Sequence, residues 1–246
     1  MSDWVRAKIE NAPKLDFGDV FNDSVALFKK SWLHGLIMQL VIIAITIPVV
    51  MIFYFPIIAL AWSESIDGRY NEEAVEAYLS EMPLGMIFFY FSAILAIALV
   101  SLAIKTAFFR MLKKLDENEE VKTGDLFYFF KKEYVGKMIL ILLVTLGLSI
   151  LFGMFCGLPL IYAIVPMSFF NIFFAFNPEW SVGDMITNSF VLGNKKWLIS
   201  FGLIVISSIL ASVIGFLMCG VGVLVTSAFT YHPVYVIYKK VIGFDN

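Results

Sequence analysis

Four long stretches of the chain, residues 32–63, 82–104, 138–178 and 197–238, contain no Asp, Glu, Lys or Arg. A helix needs about 20 apolar residues to cross a bilayer, so these stretches predict one, one, two and two crossings. The two longest, of 41 and 42 residues, are interrupted at Cys156-Gly157-Leu158-Pro159 and Cys219-Gly220-Val221-Gly222. Gly and Pro end helices and turn the chain, so each interruption predicts a hairpin tip. The expected fold is an all-α polytopic membrane protein of six transmembrane helices in a single domain, residues 1–246.

The polar segments between the spans repeat. VGDMITNSFVLGNKKWL (182–198) laid over FGDVFNDSVALFKKSWL (17–33) matches without a gap at seven of seventeen positions, including Gly18/Gly183, Asp19/Asp184, Ser24/Ser189, Leu27/Leu192, Lys30/Lys195 and Trp32/Trp197. A fainter copy opens at Gly124-Asp125, with Lys137 at the basic position. In the first copy Phe17, Val20, Phe21, Val25, Phe28 and Trp32 fall on one helical stripe, with Asn22, Asp23, Lys29 and Lys30 elsewhere. This amphipathic pattern predicts a helix in the membrane interface, then a basic-aromatic corner, then a transmembrane hairpin. The alternative is that the first such helix is the overhang of the first span. Three repeats result, about 16–104, 122–176 and 181–240. Asp16 and Ser181 stand where side-chain caps of the first and third interfacial helices belong.

Other features fit between these units. Residues 2–11 predict a short surface helix capped by Ser2 and ended by Pro13. The first span, with Pro48 and Pro56, is too long for a straight crossing. The loop after it holds Glu64, Asp67, Glu72, Glu73, Glu76 and Glu81 against Arg69. A solvated acidic face explains them, since calcium-loop spacing is lacking. The run Phe127-Tyr128-Phe129-Phe130 among bases reads as an interfacial segment or a partner-facing surface. All five Trp flank apolar runs, as an aromatic belt requires.

Composition agrees: 60% hydrophobic and 15% charged residues exclude an ordinary soluble domain. Of eighteen Lys and Arg, all but Arg69 fall on one side of the predicted topology. The positive-inside rule makes that side cytoplasmic, with both termini there. No concentrated soluble basic face exists, which argues against a nucleic-acid partner. No secretory signal pattern precedes the first span, which is expected to act as an uncleaved signal.

Chemistry is sparse. The absence of an ionised side chain in the spans lowers a proton- or sodium-coupled carrier and excludes a voltage sensor. His232, beside Pro233 in the last span, has three readings: satisfying local backbone, contacting a polar substrate, or serving a metal or catalytic site. With Asn171, Thr226 and Thr230 it also outlines a candidate polar path through spans four to six. Interhelical hydrogen bonding is the plainer account of these neutral polar groups. Cys156 and Cys219, at the two tips, are read as free thiols or a disulfide. No motif for a catalytic site, a metal or a cofactor is present. Candidate headgroup contacts are Lys29, Lys30, Trp32, Lys195, Lys196 and Trp197.

The proline-containing span 158–176, Trp180-Ser181-Val182-Gly183-Asp184, Ser189, Asn194-Lys195-Lys196-Trp197, Pro233 and Tyr238 together resemble a group of uncharacterised bacterial six-span proteins. That group includes the membrane domain fused to glycerophosphodiester phosphodiesterases. The resemblance covers residues 138–241 and implies a bacterial inner-membrane protein. The phosphodiesterase's soluble barrel and metal-binding residues are absent, so no catalytic role follows. The expected function is non-enzymatic: binding anionic lipid headgroups on the cytoplasmic side or scaffolding membrane partners, further copies of the chain included. The alternative is a transporter or pore for a hydrophobic or neutral solute. Reporter fusions at Lys122 and Lys195 are expected on the same side of the membrane; opposite sides would overturn the orientation.

Overall fold

The structure, a computed structural model, describes residues 3–63, 72–155 and 157–244. Ser2, Glu64, Asp67, Arg69 and Cys156 lie outside the described residues, as do the side chains of Glu72 and Glu73. Among those described there is no strand. The helices are α1 (Asp3–Glu10), α2 (Phe17–Ser63), α3 (Glu72–Ser80), α4 (Leu84–Asp116), α5 (Lys132–Gly153), α6 (Leu158–Ser168), α7 (Phe170–Phe176), α8 (Val182–Lys195), α9 (Trp197–Leu217), α10 (Gly222–Thr226) and α11 (Tyr231–Val241). Two 3-10 helices, Thr123–Phe130 and Ser227–Thr230, join them.

Among the described residues, five stretches are long and apolar enough to cross a membrane: Phe17–Leu60, Leu84–Asp116, Lys132–Gly153, Leu158–Phe176 and Trp197–Leu217. They are consistent with a multi-pass integral membrane protein. The last apolar run, expected as a sixth span, is instead divided into α10, a 3-10 helix and α11. Local chemistry explains the division. Pro233 has no N–H to donate, and the Thr226 and Thr230 hydroxyls donate to the Gly222 and Ser227 carbonyls.

The aligned capping positions behave alike. Asp16 Oδ1 accepts the Asp19 N–H at 3.0 Å, and Ser181 Oγ accepts the Asp184 N–H at 3.1 Å. Ser24 and Ser189 are both buried and donate to the carbonyls four residues back, Val20 and Met185, each at 2.7 Å. Beyond Leu27 and Leu192 the copies part. The corner expected before the first span is absent, because α2 runs unbroken from Phe17 to Ser63. In the third copy the helix does break, at Lys196 (φ −116°, ψ 24°). The residues at the aligned position have different partners. Ser31 stays in the helix and reaches His232, whereas Lys196 leaves it to hold two carbonyls of the α1–α2 connection. The faint middle copy forms the 3-10 helix Thr123–Phe130, where Asp125 accepts the Lys122 N–H at 3.1 Å.

The chain groups into two compact units, Met1–Leu40 with Leu102–Asn246, and Val41–Ser101. The second is built on an edge-on Phe53–Tyr90 ring pair, with centroids 4.6 Å apart. The first holds the core. Phe108, Phe109, Phe129, Phe173, Phe174, Tyr235 and Tyr238 are fully buried there. Half of the best apolar window of Leu158–Phe176 is buried, against 11% for Lys132–Gly153, which makes α6 and α7 the central elements of this unit. Elsewhere large apolar side chains face outward, Phe88, Ile150, Phe216 and Leu217 among them. Such exposure suits lipid rather than water.

Both expected tips carry a left-handed glycine, Gly157 (φ +72°) and Gly220 (φ +79°). Close helix approach depends on others. A Cβ on Gly193 of α8 would stand 2.8 Å from the Pro166 Cα of α6, whereas one on Gly147 of α5 would meet nothing within 4 Å. Gly193→Ala is therefore expected to destabilise the protein by about 1–3 kcal/mol, as overpacking does. Gly147→Ala should be neutral or stabilising by up to about 1 kcal/mol. Thermal unfolding midpoints in detergent should move in opposite directions or differ clearly.

Candidate functional site

His232 and Ser31 meet inside the first unit. Both are fully buried, and Ser31 Oγ lies 2.6 Å from His232 Nε2. His232 Nδ1 lies 3.0 Å from the Ala228 carbonyl oxygen, which can only accept. Nδ1 therefore carries the proton, and the Ser31 hydroxyl donates to Nε2. The rings of Phe28, Phe108 and Phe229 surround the imidazole, with centroids 5.4–6.1 Å away. A serine on a histidine invites a nucleophilic reading, but among the described residues no carboxylate is bonded to this imidazole, and both side chains are fully buried. Its chemistry is that of a polar clasp between α2 and α11. The sequence marked His232 but not its partner, because Ser31 was hidden in the repeat motif between Lys30 and Trp32.

Two other residues of the expected polar path bond to main-chain carbonyls. Thr226 Oγ1 donates to the Ala211 carbonyl of α9 at 2.6 Å, and Thr230 caps its own turn. Asn171 is half-buried on α7. None of the four lines any of the three cavities described here.

The expected headgroup residues divide. Lys29, Lys30, Trp32 and Lys195 are exposed. Lys30 reaches the Asn118 Oδ1 at 2.9 Å. Trp197 is half-buried, stacked on Phe201 at 4.8 Å, and its indole N–H donates to the Tyr162 carbonyl at 3.0 Å. Lys196 is the exception. It is only 7% exposed, and its ammonium donates to the Pro13 and Ala12 carbonyls at 2.5 and 3.4 Å. Burial, and then the neighbouring Lys195, push its pKa below the usual lysine value. It is an internal strut rather than a surface cation.

Charged groups from distant parts of the chain gather at this end of the first unit. Asp116 Oδ2 accepts from the Tyr235 hydroxyl at 2.9 Å and from Lys239 at 2.5 Å. Lys240 pairs with Asp23 at 2.7 Å, and Lys114 with Asp125 at 2.9 Å. Burial works to raise the Asp125 carboxyl, but Lys114 and the Lys122 amide outweigh it, so the group titrates below the ordinary carboxylate range. Nothing in the sequence singled out Asp116 or Tyr235; both sit in patterns that read as ordinary helix.

Two cavities lie among these groups, and a third lies in the second unit. One of about 340 Å³ is lined by Arg110, Lys113, Lys114 and aromatic side chains. Another, of about 190 Å³, lies among Asp23, Lys30, Asp116 and Lys239. In the second unit an apolar one of about 310 Å³ is bounded by Val50, Phe53, Tyr54 and Tyr90. No metal-binding group of His, Cys, Asp or Glu occurs among the described residues. No protein-family model, curated protein or solved structure matches this chain.

Ser31→Ala would leave His232 Nε2 buried with no donor, at a cost of about 1–3 kcal/mol. Ser24→Ala, whose hydroxyl only adds to a carbonyl of its own helix, should cost far less. Equal unfolding midpoints for the two variants would remove the clasp as a stabilising element.

Proposed function

We propose that this chain is a non-enzymatic integral protein of the bacterial cytoplasmic membrane that binds anionic lipid headgroups at the inner leaflet and presents that end to membrane partners. It crosses six times, with both termini cytoplasmic. The observation that carries this is the gathering of basic segments. Contacts Lys30–Asn118, Lys239–Asp116, Lys240–Asp23, Lys8–Ile242 and Lys196–Pro13 tie residues from the whole length of the chain to one end of one compact unit.

Two further features support it. A return passage from residue 222 to 241 is helical throughout despite its divisions, which suits a sixth crossing. At the same end Lys29, Lys30, Trp32 and Lys195 stay exposed at or beside the starts of charge-free apolar runs, where a basic residue near anionic lipid contributes about 1 kcal/mol. A transporter would use the polar side chains of the last helices for solute. Those of Thr226, Thr230 and His232 are engaged with the protein itself.

The test is lipid retention in native mass spectra. Lys29→Gln, Lys30→Gln and Lys195→Gln combined are expected to weaken phosphatidylglycerol retention, by about fivefold for each charge. Lys196→Gln alone should instead lower the unfolding midpoint, because the Ala12 and Pro13 carbonyls lose their donor. Unchanged lipid adducts in the triple variant would overturn the proposal.

A further inference from the structure

The 340 Å³ cleft lies between the end of α4, the end of α7 and the segment after α11. One wall is a single turn of α4 carrying Arg110, Lys113 and Lys114, all half-buried. Its floor is aromatic: Phe176, Tyr238 and Phe244 pack with ring centroids 4.5–5.8 Å apart. Glu117 and Glu119 also line the cleft, but both are exposed, where water and salt screen them. The Lys113 side chain, 26% exposed, is more buried than that of Glu117, 40% exposed.

These cations are not equally engaged. Lys114 is held by Asp125. Lys113 has only a loose ion pair with Glu117, at 3.7 Å, and lies 5.2 Å from the centre of the Phe244 ring. Arg110 donates one N–H to the Ala175 carbonyl at 3.1 Å and stacks on Tyr128 at 4.2 Å. It forms no ion pair among the described residues. A guanidinium has five N–H donors in a fork that matches phosphate oxygens, so most of its binding capacity is unused.

We propose that this cleft is a binding site for a phosphate-bearing anion. Arg110 and Lys113 hold the phosphate, and the ligand's carbon skeleton lies on Tyr238 and Phe244. The volume falls in the range of small-molecule sites, about 300–1,000 Å³, and accommodates more than bare phosphate. Either a phospholipid headgroup or a soluble phosphomonoester has this chemistry. Lys29, Lys30 and Lys195 do not line the cleft, so the site stands or falls apart from the leaflet-binding surface.

The full chain in nanodiscs separates the two sources. Phosphatidylglycerol retention is measured in discs containing that lipid, and glycerol 3-phosphate binding in discs of phosphatidylcholine alone. For whichever probe binds, Lys113→Gln is expected to weaken it about fivefold, and Glu117→Gln, which removes a screened opposing charge and the loose partner of Lys113, to strengthen it by a smaller factor. Lys29→Gln with Lys30→Gln should leave glycerol 3-phosphate binding unchanged. A response with the lipid alone identifies a headgroup site; a response with glycerol 3-phosphate identifies a soluble ligand. Both variants alter partly or fully exposed side chains, and their unfolding midpoints establish that the fold is intact. Failure of both probes to bind, or binding indifferent to both variants, overturns the proposal.

Discussion

In hydrocarbon, apolar helices gain nothing by leaving lipid for one another, so something other than hydrophobicity must specify how they assemble. Here the answer is a layer of interlocked rings at one end of the first unit. Phe173 meets Tyr238 edge-on at 5.2 Å, Phe129 meets Phe174 at 4.9 Å, and Phe28 meets Phe229 at 5.3 Å. Aromatic pairs of this kind add about 0.5–1.5 kcal/mol each beyond the area they bury. Farther along the long apolar helices the large side chains point outward, as suits a lipid surround.

The basic residues join that order instead of merely decorating it. Lys137 donates to the Pro178 and Trp180 carbonyls at 2.6 and 3.0 Å, Arg110 to Ala175, and Lys196 to Ala12 and Pro13. Carbonyls at helix ends and in connections have no partner inside the helix ladder. A long cationic side chain can supply one while its stem covers apolar surface. These basic side chains thus finish turns of the chain, which leaves them less free for other partners.

Much of the fold was readable because its signals are local. Charge-free runs, flanking Trp residues and the Gly-bearing tips mark five of the six expected spans, and the caps at Asp16 and Ser181 follow from spacing alone. The division of the last run was less readable. Its apolarity is ample, but Pro233 and the hydroxyls of Thr226 and Thr230 act on backbone geometry, which composition does not register. The continuity of α2 was legible only as the alternative to a corner. Seven shared positions suggested that two copies turn alike, yet the copies differ at the other ten, and the first continues as one helix where the third breaks at Lys196. Site residues fared worst. His232 stood out as a rare ionisable group, whereas Ser31, Asp116 and Asn118 matter only through partners 88 to 201 residues away.

The bond from Lys8 to the Ile242 carbonyl, 2.8 Å long, has its own consequence for biogenesis. Its ends are 234 residues apart. At ribosomal speeds of about 5–20 residues per second, they emerge on the order of ten to fifty seconds apart. Helix α1 can pack on α8 once that helix has emerged, but the bond that ties it to the far end of the chain closes only when the final segment arrives.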